Sequence, residues 1–247
     1  MIYYDKRGIM VFLQLKKETM NIQVLFEDNH LIAVNKPGGL LVQGDKTNDP
    51  ILSDWVKNYI KKKYNKPGDV FLGTIHRLDR PVSGAVIFAR TSKGLTRMNE
   101  LFRDRKIEKT YWAITQKETP ELEGTLVHFL IKDKTKNKTK TYDRMSNRAA
   151  AAKRAELSYK LIGKLGHHNL LEIKLGTGRP HQIRAQLAHI GCPIRGDLKY
   201  GADKPNEDAC IHLHSRSLSF IHPVTKKPIY ITAAVPNEQL WREFSRI

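Results

Sequence analysis

From Asn21 onward, apolar and polar positions alternate in short blocks separated by turn residues. Val24, Leu25 and Phe26 run into the turn cluster Glu27-Asp28-Asn29, and Leu31 to Val34 form a second apolar block. The two blocks predict a hairpin, ended by Lys36-Pro37-Gly38-Gly39. Asp49 and Pro50 then offer an N-cap and a first helical residue. Ile51, Leu52, Trp55, Val56, Tyr59 and Ile60 follow at helical spacing, with Lys57, Lys61, Lys62 and Lys63 largely on the other face. Ala85 to Ala89 read as a short buried strand. Ser92 is the expected cap of a second helix, which has Leu95, Met98, Leu101 and Phe102 on one side and a basic C-terminal part. Lys109 to Thr115 predict a strand with Tyr111 and Trp112 on opposite faces. Strand patterns return at Ala155 to Ile162 and Asn169 to Leu175, followed by a helix from His181 to Ile190 closed by Gly191. Ile211 to Phe220 and Ile229 to Val235 complete the strands, and Pro236-Asn237-Glu238 open a short terminal helix. Strands joined by turns, with helices interspersed irregularly, predict an α+β fold around a mixed, largely antiparallel sheet.

The stretch 132–154 breaks this rhythm. Lys132, Lys134, Lys136, Lys138, Lys140, Arg144, Arg148, Lys153 and Arg154 crowd a segment with almost no apolar residues. Such a run is not expected to pack into a core, and reads as a flexible insertion or a hairpin arm that orders against phosphates. It belongs to a chain with 43 Lys and Arg against 25 Asp and Glu, a net charge of +18. That imbalance points to a polyanionic partner, RNA being the expected one, because basic side chains that neutralise phosphates release counterions. Only Cys192 and Cys210 are present, without a CxxC pair, so a disulfide framework and a zinc ribbon are unsupported and a reducing cytosol fits. No apolar run approaches the length of a membrane span. Residues 1–19 read as a start-site extension or a loosely attached strand, and 20–247 as a single catalytic domain with no internal repeat. A monomer with no obligatory protein partner is expected.

Candidate chemistry centres on TIHRLDRPVSGAVIFAR, residues 74–90, where Asp79 stands among His76, Arg77 and Arg80 on a loop between two strands. The bland reading is half of a surface ion pair. For Asp79 to react at neutral pH it must stay ionised while shielded from water, which a neighbouring guanidinium allows. Arg77 and Arg80 are near in sequence, but side chains so close along a turn often diverge. Arg179 and Arg184 lie on a glycine-bounded turn and the helix after it, a place from which a bidentate pair could hold the carboxylate charged and aimed. Tyr111 offers a flat face for a base. His212 and His214 share a strand face, yet no third ligand at suitable spacing is evident, so no metal is expected. His76-Arg77-Leu78-Asp79 lacks the downstream partners of a kinase catalytic loop.

HRLDRPVSG at 76–84, KTYWAI at 109–114 and TGRPHQIR at 177–184 resemble the three signature motifs of the RluA family of RNA pseudouridine synthases. VLFEDNHLIAVNKPGGLLV and LHSRSLSFIHP also match its pattern, and the similarity runs from Met20 to the C-terminus. Val82 departs from the usual Thr, and the small N-terminal RNA-binding domain of many relatives has no room before Met20. The resemblance implies a mixed sheet with the catalytic cleft across its middle. It also implies a cofactor-free isomerisation of a uridine in ribosomal or transfer RNA, by breaking the bond from ring nitrogen to sugar, rotating the base and rejoining it through carbon 5. Asp79 is then the catalytic carboxylate, attacking the anomeric carbon or removing the neighbouring sugar proton. Arg184 pairs with it and Tyr111 stacks on the base. Arg77 helps hold the RNA open and Arg179 contacts phosphate. Arg80, Lys109, His181, Lys134, Lys136, Lys138 and Lys140 complete the RNA-contacting set. Two rival classes share much of this pattern: an RNA-binding factor without turnover, and a glycosylase that admits water.

Overall fold

The computed structural model describes residues 22–44, 49–145 and 147–246, so the expectation for residues 1–19 lies outside the described residues. The organising element is β4 (Ser83–Ala89), whose seven residues are all buried. Its side chains alternate between two cores, Val86 and Phe88 facing one and Ala85 and Ile87 the other. A strand covered on both faces reads as a continuous apolar run, which is how this one stands in the sequence.

Around it the described strands form one mixed sheet. β1 (Val24–Glu27) and β2 (Leu31–Lys36) make the expected hairpin, and β2 pairs antiparallel with β4. The two-residue β3 (Gly73–Thr74) pairs with the far end of β4. On the other side of β4 lies β10 (Leu213–Ile221), paired in parallel through His214 and Ser215. β5 (Glu108–Thr115), β9 (His168–Leu175), β8 (Lys153–Leu165), β6 (Glu123–Asp133) and β7 (Lys138–Tyr142) continue outward, each antiparallel to the one before. β11 (Pro228–Thr232) pairs with the second half of β10. The α+β, largely antiparallel architecture is the expected one.

Helix α1 (Leu52–Lys63) and the site-bearing α3 (Gln182–His189) cover one face through Leu52, Val56, Ile183 and Leu187. α2 (Ser92–Arg103) packs Met98 against Ile87, Leu218 and Ile231 on the other. The short α4 (Gln239–Phe244) buries Trp241 and Phe244 against Ile114 and Leu170. Tyr111 and Trp112 fall in different cores, as strand alternation requires.

Three expectations need correction. Asp49 and Pro50 do not open α1. Its cap is Ile51, and the first helical N–H groups of Leu52 and Ser53 donate to the carbonyls of Leu41 and Val42 at 2.8 and 3.2 Å. Backbone from a neighbouring segment thus satisfies donors that a side chain usually caps. Asp49 pairs instead with Arg80 at 2.9 Å. The cap of α2 is Thr91, one residue before Ser92, its hydroxyl accepting from Gly94 N at 3.0 Å. Finally, of the two readings of the basic stretch 132–154 the hairpin is the one found, but its expected exclusion from a core is not. It spans the end of β6, a turn at 134–137, all of β7 and the start of β8. Its lysines alternate with Thr139 and Thr141, and Thr139 is buried against the segment that leads into α3. Period-two alternation lets one face carry charge while the other packs.

Candidate active site

The loop between β3 and β4 is pinned by its own carbonyls. Asp79 O accepts from Val82 N at 3.0 Å, Arg80 O from Gly39 N at 2.8 Å, and Pro81 O from Ile211 N at 3.2 Å. A fourth tie comes from Lys36, which has no exposed surface and donates to Pro37 O, Leu40 O and Arg80 O at 3.0, 2.7 and 3.2 Å. Three acceptors match the three protons of an ammonium. Burial nevertheless pushes Lys36 down to about 7. Gly84, just after the loop, has φ +115°, and a Cβ there would lie 2.3 Å from Ser215 O. Only glycine lets β4 and β10 approach so closely behind the site.

The loop presents Asp79 to a guanidinium from α3. Arg184 Nη1 donates to Asp79 Oδ2 at 2.8 Å. Two further donors go to Asp197, with Nε to Oδ2 at 2.7 Å and Nη2 to Oδ1 at 2.9 Å. The bidentate pair expected for Asp79 is therefore made with Asp197, and Asp79 takes a single bond. Fork-to-fork pairing fixes the plane of the guanidinium, so Asp197 aims Arg184 at Asp79. Burial opposes the Arg184 charge, but the Asp197 and Asp79 carboxylates outweigh it and hold the group above its ordinary range. Asp197 is 1 % exposed, whereas the Asp79 side chain is 31 % exposed and faces the cleft.

α3 starts from a strained residue. His181 has φ 51° and ψ 27°, left-handed backbone for a non-glycine residue, and caps the helix without a side-chain bond. That conformation places its ring where Nδ1 lies 2.8 Å from Tyr200 Oη and Nε2 lies 3.7 Å from Asp79 Oδ2. Burial pushes His181 down to about 4, outweighing the pull of the Asp79 charge. Tyr111 forms another wall. It is 7 % exposed, and burial raises its phenol to about 12, partly offset by a hydrogen bond with Ser215. Asp79, Arg77, Tyr111, Arg179, His181 and Arg184 all line one cleft.

Of the remaining expected site residues, Arg77 and Arg179 line the cleft, and Arg179 Nε donates to Arg154 O at 3.1 Å. Arg80 turns away to Asp49 and Gly39 O, so it diverges from Arg77. Lys109 sits 5.7 Å from the Phe102 ring centroid, and burial lowers its affinity for a proton. Lys134, Lys136, Lys138 and Lys140 are exposed along the hairpin, with Lys138 over the Tyr200 ring at 5.3 Å. His76 is half-buried, stacked on Phe102 and accepting from Ile87 N. Residues that sequence reasoning missed are Lys36, Asp197, Tyr200 and, as a site residue, Lys132. Each gains its role from a contact far along the chain, and none stands in a local pattern that marks it.

Two histidine groups could be taken for metal ligands. His212 contacts Glu238 through Nε2 and Arg195 and Asn206 through Nδ1, while His214 contacts Ser83 and Ala233 O. All four ring nitrogens are engaged. His128, Asp143 and His189 bring ligand atoms within 4.8 Å of one another. Gln186 Nε2 donates to Leu126 O and to His128 Nδ1, at 3.1 and 3.0 Å. The lone pair of His128 is thus at Nδ1 and its proton at Nε2, the nitrogen that faces Asp143. That tautomer is wrong for ligation from Nε2.

A pinned carboxylate, an arginine delivered from α3 and an aromatic wall meet across the middle of a mixed sheet that has the pseudouridine synthase fold. The chain belongs to the RluA-type RNA pseudouridine synthases: the RNA pseudouridylate synthase family model matches residues 30–189. It is 33 % identical to "tRNA pseudouridine synthase C" of Haemophilus influenzae, over 90 % of this chain and 98 % of that protein. It is 35 % identical to "Ribosomal large subunit pseudouridine synthase C" of Buchnera aphidicola over 85 % of this chain, spanning 66 % of that relative's length. Among solved structures, Human RNA Pseudouridylate Synthase Domain Containing 4 superposes with a TM-score of 0.71 at 25 % identity, covering 87 % of this chain and 88 % of the other. The described helices include none long and apolar enough to cross a membrane.

Proposed function

We propose that this chain isomerises a specific uridine in structured ribosomal or transfer RNA, with Asp79 as the reacting carboxylate. The single observation that carries the reading is the 2.8 Å bond from Arg184 Nη1 to Asp79 Oδ2 at the base of the cleft. The relatives named above are described as acting on one or the other of these RNAs, which supports both as substrate classes.

A uridine within a helix is out of reach of Asp79 until it is extruded, at a cost of a few kcal/mol of unstacking. Arg77, at the mouth of the cleft, holds the opened RNA, and Tyr111 takes the face of the extruded base. Exposed Lys134, Lys136, Lys138 and Lys140 meet the backbone and offset the unstacking cost through phosphate contacts. Arg179 serves the same purpose at the rim, and Lys109 and His181 border the bound strand. Arg80, tied to Asp49, supports the loop.

Arg184 engages Asp79 through Oδ2 alone, with no bond from it to Oδ1 among the described residues. Asp79 then either attacks the anomeric carbon as the C1′–N1 bond breaks, or takes the C2′ proton as that bond breaks. In both routes the electron pair of the broken bond leaves with the uracil. Rotation brings C5 to C1′, and the new C–C bond forms as the ester bond from C1′ to Asp79 breaks in the first route, or as Asp79 returns its proton to C2′ in the second; the C5 proton is then lost as N1 gains one. Atoms and electrons balance without a redox partner. The buried Tyr111 phenol stays protonated across the neutral range, so its contribution is the ring face.

A carbodiimide-based pseudouridine map of total RNA, with and without the gene, tests the reading. One uridine in ribosomal or transfer RNA should lose its modification when the gene is removed. An unchanged map would overturn the assignment, and an abasic sugar at the site would mark a glycosylase.

A further inference from the structure

We propose that Lys132 is a positioning residue for this reaction, holding His181 in the one tautomer that keeps its proton away from Asp79. The inference rests on Asp79 being the reacting carboxylate.

Lys132 is the first lysine of the basic run, but unlike Lys134, Lys136, Lys138 and Lys140 it is half-buried, near the end of β6. Its Nζ lies 3.0 Å from His181 Nε2. An ammonium can only donate, so His181 Nε2 must be the acceptor and its lone pair is occupied. The ring proton is then at Nδ1, where it is donated to Tyr200 Oη at 2.8 Å. Tyr200 Oη also accepts from Thr139 N at 2.7 Å, on the strand that pairs with β6. The chain Lys132, His181, Tyr200, Thr139 therefore closes on the same hairpin from which it starts. The charged groups facing Lys132 are Asp79, Lys199, Arg184 and Arg77. Burial lowers its hold on the proton and the Asp79 charge raises it.

Without the ammonium, the His181 Nε2 lone pair would face the Asp79 carboxylate across 3.7 Å. Two acceptors so placed repel, and a neutral imidazole relieves this by moving its proton to Nε2 while Tyr200 donates to Nδ1. Asp79 Oδ2 would then face the His181 N–H as well as the Arg184 guanidinium. A carboxylate so occupied is a weaker nucleophile and a weaker base. Lys132 therefore acts on the chemistry through His181 and not on RNA affinity, unlike an exposed phosphate contact.

The test uses the full chain, a target RNA transcript and ¹⁵N-histidine labelling. Wild type should show His181 protonated at Nδ1. Lys132→Met should move that proton to Nε2 and lower the single-turnover rate at least tenfold, with RNA affinity within threefold. Lys132→Arg should restore the Nδ1–H signal and most of the rate. An unmoved tautomer in Lys132→Met, or equal losses of rate and affinity, would overturn the proposal. A wild-type His181 protonated at Nε2 would do so even if Lys132→Met failed to fold. Asp79→Asn runs in parallel: activity there removes the reading of Asp79, whereas an inactive Asp79→Asn beside an unaffected Lys132→Met removes only the role of Lys132.

Discussion

Asp197→Asn separates the aiming of Arg184 from its charge. The wild-type side chain is 1 % exposed and accepts two charge-assisted bonds from Arg184, at 2.7 and 2.9 Å. Asparagine keeps the shape and one acceptor, but turns an N–H₂ toward a guanidinium that can only donate. Breaking a buried pair by removing one partner costs about 3–5 kcal/mol. At about 2–4 °C per kcal/mol for a domain of this size, the melting temperature should fall by roughly 6–20 °C. Arg184 keeps its charge and its Asp79 bond, but loses the fork that set its plane. Misplacement near 1 Å can lower a rate about 10²-fold, so the single-turnover rate should fall by that order while RNA affinity holds. Thermal unfolding, filter binding and a rapid-quench assay on one transcript read all three. A melting shift under ~3 °C with a rate within twofold of wild type would refute the claim that Asp197 aims Arg184.

Arg184→Met should lower turnover far more than RNA binding, checked by kcat against Kd; equal losses would make Arg184 an RNA anchor. Replacing Lys134, Lys136, Lys138 and Lys140 together by Ala should flatten the plot of log K against log salt by roughly 3, since each phosphate contact contributes about 0.7–0.9. An unchanged slope would mean the hairpin does not meet the backbone. Lys36 gives a pH signature. Its proton is held to about 7 in the folded chain against an ordinary 10.5, so between these values the unfolded chain binds more protons and stability rises with pH. The slope approaches about 1.4 kcal/mol per unit and is absent in Lys36→Met; coincident urea-denaturation curves at pH 7 and 9 would contradict it. Gly84→Ala should prevent soluble expression, because its Cβ would meet Ser215 O at 2.3 Å, and a well-folded variant would contradict that packing.

Much of this architecture is written in local pattern. The blocks around Leu31, Val86, Tyr111 and Leu171 alternate or run apolar strongly enough to place β2, β4, β5 and β9, and the 3.6-residue spacing from Leu52 to Ile60 places α1. Caps were less legible because the competing residues stand side by side. Thr91 and Ser92 can each cap a helix, and at Asp49 a tertiary carbonyl pair made side-chain capping unnecessary. The basic run misled for a related reason. Charge counted over 132–154 hides the period-two alternation that lets Thr139 pack while its neighbours face water. At the site, Asp79, Tyr111 and Arg184 stand within compact motifs and could be named together. Asp197, Lys36, Lys132 and Tyr200 could not, because each role consists of a contact with a residue 13 to 49 positions away. A solitary aspartate before Leu198 looks like any surface acid until the fold buries it under Arg184.

The most direct test of the central claim is the fate of the target uridine with Asp79→Asn, a substitution that keeps size and removes charge. RNA should bind within a few fold of wild type while no pseudouridine forms, even at enzyme excess over hours. Pseudouridine accumulating at the wild-type rate would contradict the account, because Asp79 is the one carboxylate among the described residues that line the cleft.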